Sequence, residues 1–176
     1  MTGFEAQVAF LEAHNTSVMG HSDLSLLDHL KGVRDILVSW GASEALAAAG
    51  LFHSVYGTES YRQEAVPLSL RPQVRAVIGE EAERLAYVFG AMAKETFDAS
   101  VERGGVFWVR DRHSGNALDL DEKQCSALCE LVVANWLEQR PRVPEEYRQL
   151  KAEMFRTLRV WLSDPAAAAL TAAYGF

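Results

Sequence analysis

Apolar residues recur at helical spacing along most of this chain. Phe4, Val8, Phe10 and Leu11 form a short amphipathic stretch over about residues 4–14, closed by the polar run His14-Asn15-Thr16-Ser17. Ser22-Asp23-Leu24-Ser25 reads as a helix start, and Leu26, Leu27, Leu30, Val33, Ile36, Leu37 and Trp40 make one stripe behind it. Gly41 is placed to stop that helix. Ser43 is placed to cap the next, which passes through Leu46, Ala49 and Gly50-Leu51-Phe52 into His53. Gly57 opens a loop over 57–66. Pro67 to Pro72 leads into a helix with Val74, Val77 and Ile78 on its apolar side, and Gly79 interrupts it. Glu80-Glu81 then begin another helix through Leu85, Val88, Phe89 and Met92, where acidic side chains suit the positive end of the helix dipole.

The period changes over residues 106–120. Val106-Phe107-Trp108-Val109-Arg110, a Gly115-containing turn and Ala117-Leu118-Asp119-Leu120 read as a β-hairpin. Asp121 can cap the long helix that follows, which carries Leu128, Leu131, Val132, Asn135, Trp136 and Gln139 and ends near Pro141 and Pro144. A last helix is expected over about 145–162, with an Ala-rich tail forming one more short helix. No repeat or linker divides the pattern. The expectation is a single mainly α domain over 1–176, with one hairpin inserted near 106–120.

Composition narrows the function classes. A chain of 176 residues with 49% hydrophobic content is long enough to bury a sizeable core. A net charge of −7 lacks the electrostatic footprint of a nucleic-acid binder, and no basic run suits an anionic membrane surface. No segment reaches the ~20 apolar residues of a membrane span. Cys125 and Cys129 share one helix face and read as small core residues. The N-terminal stretch carries Glu5 and Glu12 and no basic region, so a cytoplasmic protein with reduced thiols is expected. The partner expected is a small molecule, not nucleic acid or membrane, with the hairpin as a candidate homodimer edge.

Candidate chemistry centres on His29 and His53, which stand 24 residues apart. The stretch Leu27 to Glu59 resembles the hydrolase half of the Rel/SpoT alarmone enzymes and other HD-domain proteins. Ile78 to Lys94 resembles the helix that follows there, and Leu131 to Gln139 resembles the later "ADRLHN" ligand helix, with the hairpin as an insertion before it. Gly50 to Thr58 also resembles a bacterial family of stand-alone domains sharing a GLFHSxYGT segment. The resemblance implies an HD-domain-like helical bundle that holds a divalent metal by ligands in the order His, His-Asp, Asp. His29 matches the first histidine and His53 the second. Ser54 stands where the paired Asp belongs, and Asn135 where the final Asp belongs. Two imidazoles without a carboxylate are a poor set for Mn²⁺, Mg²⁺ or Fe²⁺. The expectation is therefore a site without the usual metal and with no cofactor. A divalent metal on His29 and His53 is the alternative.

Three functions follow as expectations. The first is a divergent HD-fold enzyme acting on a small molecule in a His-lined pocket. His29 or His53 would be the general acid or base and Glu59 a second one, because imidazole titrates near neutral pH. Ser54, Tyr56 and Asn135 would position the substrate, together with Gln139 and with His21, two helical turns before His29 if that helix extends back. The second is a non-catalytic binding or assembly module using the same pocket or the hairpin. The third is a metal-dependent phosphohydrolase with altered ligands, tested first on alarmones or nucleotides. Glu138 is expected near the face of Asn135. Glu80, Glu81 and Glu83 read as a solvated helix start that pairs with Arg71, Arg75 and Arg84. Asp111-Arg112-His113 reads as a hairpin tip, Trp40 and Trp136 as core, and Trp108 as a contact surface.

Overall fold

The computed structural model describes residues 3–21, 23–104 and 107–176. The chain is mainly α, as expected, with two small antiparallel hairpins. After α1 (Gly3–Ala13), β1 (Gly20–His21) pairs with β2 (Leu24–Ser25), His21 opposite Leu24. There follow α2 (Leu26–Ser39), α3 (Glu44–Phe52), α4 (Arg71–Ile78), α5 (Glu80–Ala91) and α6 (Lys94–Arg103). β3 (Val109–Arg110) pairs with β4 (Ala117–Leu118). The chain closes with α7 (Glu122–Gln139), α8 (Glu145–Leu150), α9 (Ala152–Leu158) and α10 (Asp164–Tyr174).

The starts of α2, α3 and α7 follow side chains able to satisfy orphan amides. Ser25 Oγ accepts from the Asp28 amide (3.1 Å) and Ser43 Oγ from the Leu46 amide (3.2 Å). Asp121 and Gln124 form a reciprocal capping box at α7. Gly79, with φ at +85°, ends α4 and starts α5.

α7 runs through the centre and packs on α2, α3, α5 and α10. Leu128, Leu131, Val133 and Ala134 are buried there beside Leu30, Val33 and Leu37 of α2 and Leu51 and Phe52 of α3. α2 and α3 approach closely at Gly50, where a Cβ would lie 2.5 Å from Leu37 Cδ1. Among the described residues, no helix is long and apolar enough to cross a membrane.

Several expectations need correction. The expected helix start holds at Ser25, which caps α2, but α2 does not extend back toward His21. It starts at Leu26, and Leu24–Ser25 is a strand (Ser22 lies outside the described residues). The expected 106–120 hairpin has strands of only two residues, and its Val106 also lies outside the described residues. The 145–162 helix breaks at Lys151, whose amide turns back to Arg148 O (3.3 Å). α6 was not expected, because its buried face mixes Phe97 and Val101 with Thr96 and Ser100 and shows no apolar stripe.

Asp111-Arg112-His113 lies at the hairpin tip between β3 and β4, as expected, but Asp111 is buried there, taking the Tyr87 hydroxyl (2.6 Å) and the amides of His113 (2.8 Å) and Ser114 (3.3 Å). Glu83 is no solvated helix start. It is wholly buried, bound by Arg71 (2.6 and 3.1 Å), Arg75 (3.3 Å) and the Tyr56 hydroxyl (3.2 Å). Arg84 reaches the Asp119 carbonyl instead.

Candidate functional site

His29 lies on the buried face of α2, and His53 is the residue that ends α3. Both have no exposed surface. His53 Nδ1 donates to Gly50 O (2.7 Å), satisfying a carbonyl that the helix end leaves free and aiming Nε2 at α2. His29 Nδ1 meets Glu138 of α7, whose two carboxylate oxygens also accept from Arg142 (2.8 and 2.7 Å). Gly32, one turn beyond His29, makes room for that carboxylate, since a Cβ there would lie 2.9 Å from Glu138 Cγ. Burial alone would raise the Glu138 pKa, but hydrogen bonds from His29 and Arg142 hold it below the usual carboxylate value.

The two Nε2 atoms stand 3.2 Å apart, and Asn135 Oδ1 lies 3.0 Å from that of His53. Gln139 Nε2 fixes the Asn135 amide by donating to its backbone O (3.1 Å) and its Oδ1 (2.9 Å), which assigns oxygen to the side facing His53. Burial, and then the neighbouring His29, push the His53 pKa down to about 3, so its ring is neutral at ordinary pH. Its one proton is on Nδ1, leaving a bare lone pair on Nε2. Lone pairs of His53 Nε2 and Asn135 Oδ1 therefore face each other, with His29 Nε2 beside them. A proton on His29 Nε2 closes the histidine pair but leaves Asn135 Oδ1 against the His53 lone pair.

The donor atoms partly fit a metal ion. Spacings of 3.0 and 3.2 Å suit neighbouring ligands on bonds of about 2.0–2.1 Å. Nδ1–H groups donating to a carbonyl and a carboxylate are the outer support that ligating imidazoles use. The set itself is thin: two imidazoles and an amide oxygen, with Glu138 on the far side of His29. Among the described residues, no group of three or more His, Cys, Asp or Glu side chains is placed to hold a metal. These residues suit a nitrogen-preferring ion such as Zn²⁺ and not an oxygen-preferring one.

A cavity of about 270 Å³ lies beside this network. His21, Ser54, Asn135 and Gln139 line it, while Tyr61, Phe89, Phe97, Trp136 and Phe155 supply aromatic wall. His29 and His53 do not line it. His21 stands between, its ring stacked on His29 (4.1 Å between centroids, 10° between planes) and edge-on to Tyr61 (4.7 Å). It arrives there on the β1–β2 hairpin and not on an extension of α2. Burial, and then His29, lower its pKa to about 4. Its Nδ1 is buried without a hydrogen-bond partner, and so are the Tyr61 hydroxyl and Asp98 Oδ1. All three side chains line this cavity.

Glu59 also lines the cavity, exposed, with its carboxylate accepting from the Lys94 amide (2.8 Å) at the start of α6. Tyr56 does not line it, because its hydroxyl is turned to Glu83. Burial, and then Glu83, push the Tyr56 pKa well above the tyrosine range. Of the expected site residues, His21, Ser54, Asn135, Gln139 and Glu59 thus share one cavity. His29 and His53 lie behind it, and Tyr56 belongs elsewhere. Sequence reasoning missed Arg142, although its i,i+4 spacing from Glu138 was a usable signal. It also missed Tyr61, Lys94, Asp98 and Lys151, which no local pattern connects.

A family model described as a domain of unknown function (DUF6817) matches residues 10–94. That span includes His21, His29, His53, Ser54 and Glu59, and stops before Asn135 and Glu138. No curated protein and no solved structure matches the chain.

Proposed function

We propose that this chain is a divergent HD-like enzyme that takes a small molecule into the cavity beside His21 and acts on it without the usual HD metal. One observation carries the reading. Three buried polar atoms without a protein partner, on His21, Tyr61 and Asp98, all belong to side chains that line one cavity. Buried polar groups are nearly always paired, so a cluster of orphans around a cavity marks where ligand atoms belong.

His21 is the imidazole that meets the ligand. A pKa of about 4 keeps it neutral at physiological pH, able to accept a proton from a substrate group. Glu138 and Arg142 hold His29, and His29 supports the His21 ring by stacking. His29 and His53 are then positioning residues, because neither reaches the cavity.

His21→Phe separates the alternatives, since it keeps the stacked ring and removes both nitrogens. A fragment library screened by ligand-observed NMR is expected to yield compounds that bind the wild type and lose affinity in this variant. Turnover of such a compound that disappears in His21→Phe identifies an enzyme, whereas binding without turnover identifies a binding module. A screen in which nothing binds sinks both.

The convergent lone pairs of His29, His53 and Asn135 favour a second reading, a metal-dependent hydrolase with altered ligands. His29 Nε2, His53 Nε2 and Asn135 Oδ1 would hold the ion, and the ion would polarise a substrate oxygen. A near-stoichiometric transition metal in the purified protein, absent from His29→Ala and His53→Ala, would replace the metal-free reading.

A further inference from the structure

The charged groups on the wall of this cavity cancel. Glu59 and Asp98 bring two carboxylates, and Lys94 and Lys151 bring two ammonium groups. His21, its pKa lowered to about 4, adds no charge near neutral pH, and the other side chains that line the cavity are uncharged. A cation placed here meets two ammonium groups, and an anion meets two carboxylates. Either would sit partly out of water with no surplus of opposite charge to offset its lost hydration.

The unpaired atoms lie in two places. His21 Nδ1 and the Tyr61 hydroxyl belong to one, since the two rings meet edge-on at 4.7 Å. Asp98 Oδ1 belongs to the other, on α6. Asp98 also borders a second hollow of about 250 Å³ between α6 and the break at Lys151, which neither His21 nor Tyr61 lines. Phe97, Trp136 and Phe155 add flat apolar walls suited to an aromatic body. A cavity of roughly 150 Å³ holds one benzene ring, so about 270 Å³ has room for two fused rings.

The orphan atoms specify what the ligand carries at each end. A carboxylate oxygen only accepts, so Asp98 calls for an O–H or N–H. An imidazole nitrogen beside a phenol hydroxyl is matched by a polar group such as a hydroxyl, which both donates and accepts.

We infer that the ligand is an uncharged, flat aromatic molecule with a hydroxyl or N–H group at each end, one bound by Asp98 and the other by His21 and Tyr61. This rests on the cavity being a ligand site, and it adds the ligand's charge, its shape and its two points of attachment.

Four probes on one scaffold test it with the full chain at pH 7, by calorimetry and ligand-observed NMR: 2,6-dihydroxynaphthalene, 2-naphthol, the anion 6-hydroxy-2-naphthoate and the cation (6-hydroxy-2-naphthyl)trimethylammonium. The dihydroxy compound is expected to bind about fivefold or more tightly than 2-naphthol, which leaves one end unmet, and about tenfold or more tightly than either ion. Asp98→Asn is expected to weaken the dihydroxy compound about five- to tenfold and to strengthen the anion, because one ammonium group is then uncancelled. Tyr61→Phe is expected to weaken the dihydroxy compound about threefold and to leave 2-naphthol, held by Asp98, unchanged. Circular dichroism confirms the fold of both variants, and the comparison of the four probes on the wild type needs neither.

An ion that binds as tightly as the dihydroxy compound overturns the uncharged ligand. Equal binding of 2-naphthol, or no loss in either variant, overturns the two points of attachment. Each of these results leaves the cavity reading standing. If no probe binds, the inference falls, whereas the parent reading falls only if the wider fragment screen is also empty.

Discussion

Two buried polar clusters lie in this fold, and they are built on opposite plans. Around Glu83, every acceptor faces a donor: Arg71 twice, Arg75 and the Tyr56 hydroxyl. The Arg71 guanidinium also lies over the Tyr87 ring, 3.6 Å from its centroid. Around His53, acceptors face acceptors, and the orphan atoms of His21 and Tyr61 lie nearby. The first cluster is closed and holds α4 and α5 to the end of α3. The second is open, and its leftover lone pairs adjoin a cavity. A protein keeps such an unsatisfied group where function opposes stability, and this contrast adds support to the proposal that the cavity beside His21 takes a ligand.

The largest expected effect comes from breaking the closed cluster. Glu83→Ala leaves two guanidiniums and a buried tyrosine hydroxyl without their acceptor. Removing one partner of a buried pair costs about 3–5 kcal/mol, and the partial exposure of Arg71 and Arg75 puts this variant at about 3 kcal/mol. Denaturant unfolding measures it. A loss below about 1 kcal/mol would mean that the cluster is a solvated surface pair.

Acid is the next lever, and it acts on the open cluster. His21 and His53 have folded-state pKa values of about 4 and about 3, below the unfolded value of 6.5. Between those limits the unfolded chain binds protons that the folded chain refuses. The stability they contribute is therefore complete above pH 6.5 and lost as pH falls toward 4 and 3. The wholly buried His53 adds a slope of up to about 1.4 kcal/mol per pH unit in that window, and the half-buried His21 adds less because solvent screens it. The carboxylates of Glu138 and Asp111 also have lowered values and weaken the fold in more acid solution, so the histidine slope is read from pH 6.5 to 5. His53→Leu is expected to flatten that slope, and an unchanged slope would contradict the assignment.

The smallest stability effect is expected at Asn135. Asn135→Leu removes an oxygen that faces a lone pair, so it changes stability by no more than about 1 kcal/mol in either direction while weakening ligand binding. A large destabilisation would make Asn135 a structural member of the closed kind.

The same contrast explains what could be read from the chain. α2, α3 and α7 were legible because their stripes and caps are local, and the resemblance to HD-domain proteins suggested a site shared by His29 and His53. The same resemblance pointed to Asn135, and Glu138 followed from its three-residue spacing on α7. Glu83 was misread, because a glutamate in the first turn of α5 looks solvated until Arg71 and Arg75 are folded over it. His21 was placed on the right side of the molecule for the wrong reason: the two-residue strands that carry it leave no period to detect. Lys94, Asp98 and Lys151 stayed hidden because α6 has a mixed buried face and Lys151 breaks a helix expected to be continuous.

The central claim, that His53 presents a bare Nε2 lone pair to Asn135 and His29, is tested most directly by long-range proton–nitrogen NMR of the imidazoles in chelator-treated protein from pH 5 to 8. The account predicts His53 protonated on Nδ1 alone and unchanged across the range, with His21 neutral throughout. A His53 ring protonated on Nε2, or one titrating near pH 6.5, would contradict it and make the histidine pair an ordinary hydrogen-bonded element of the core.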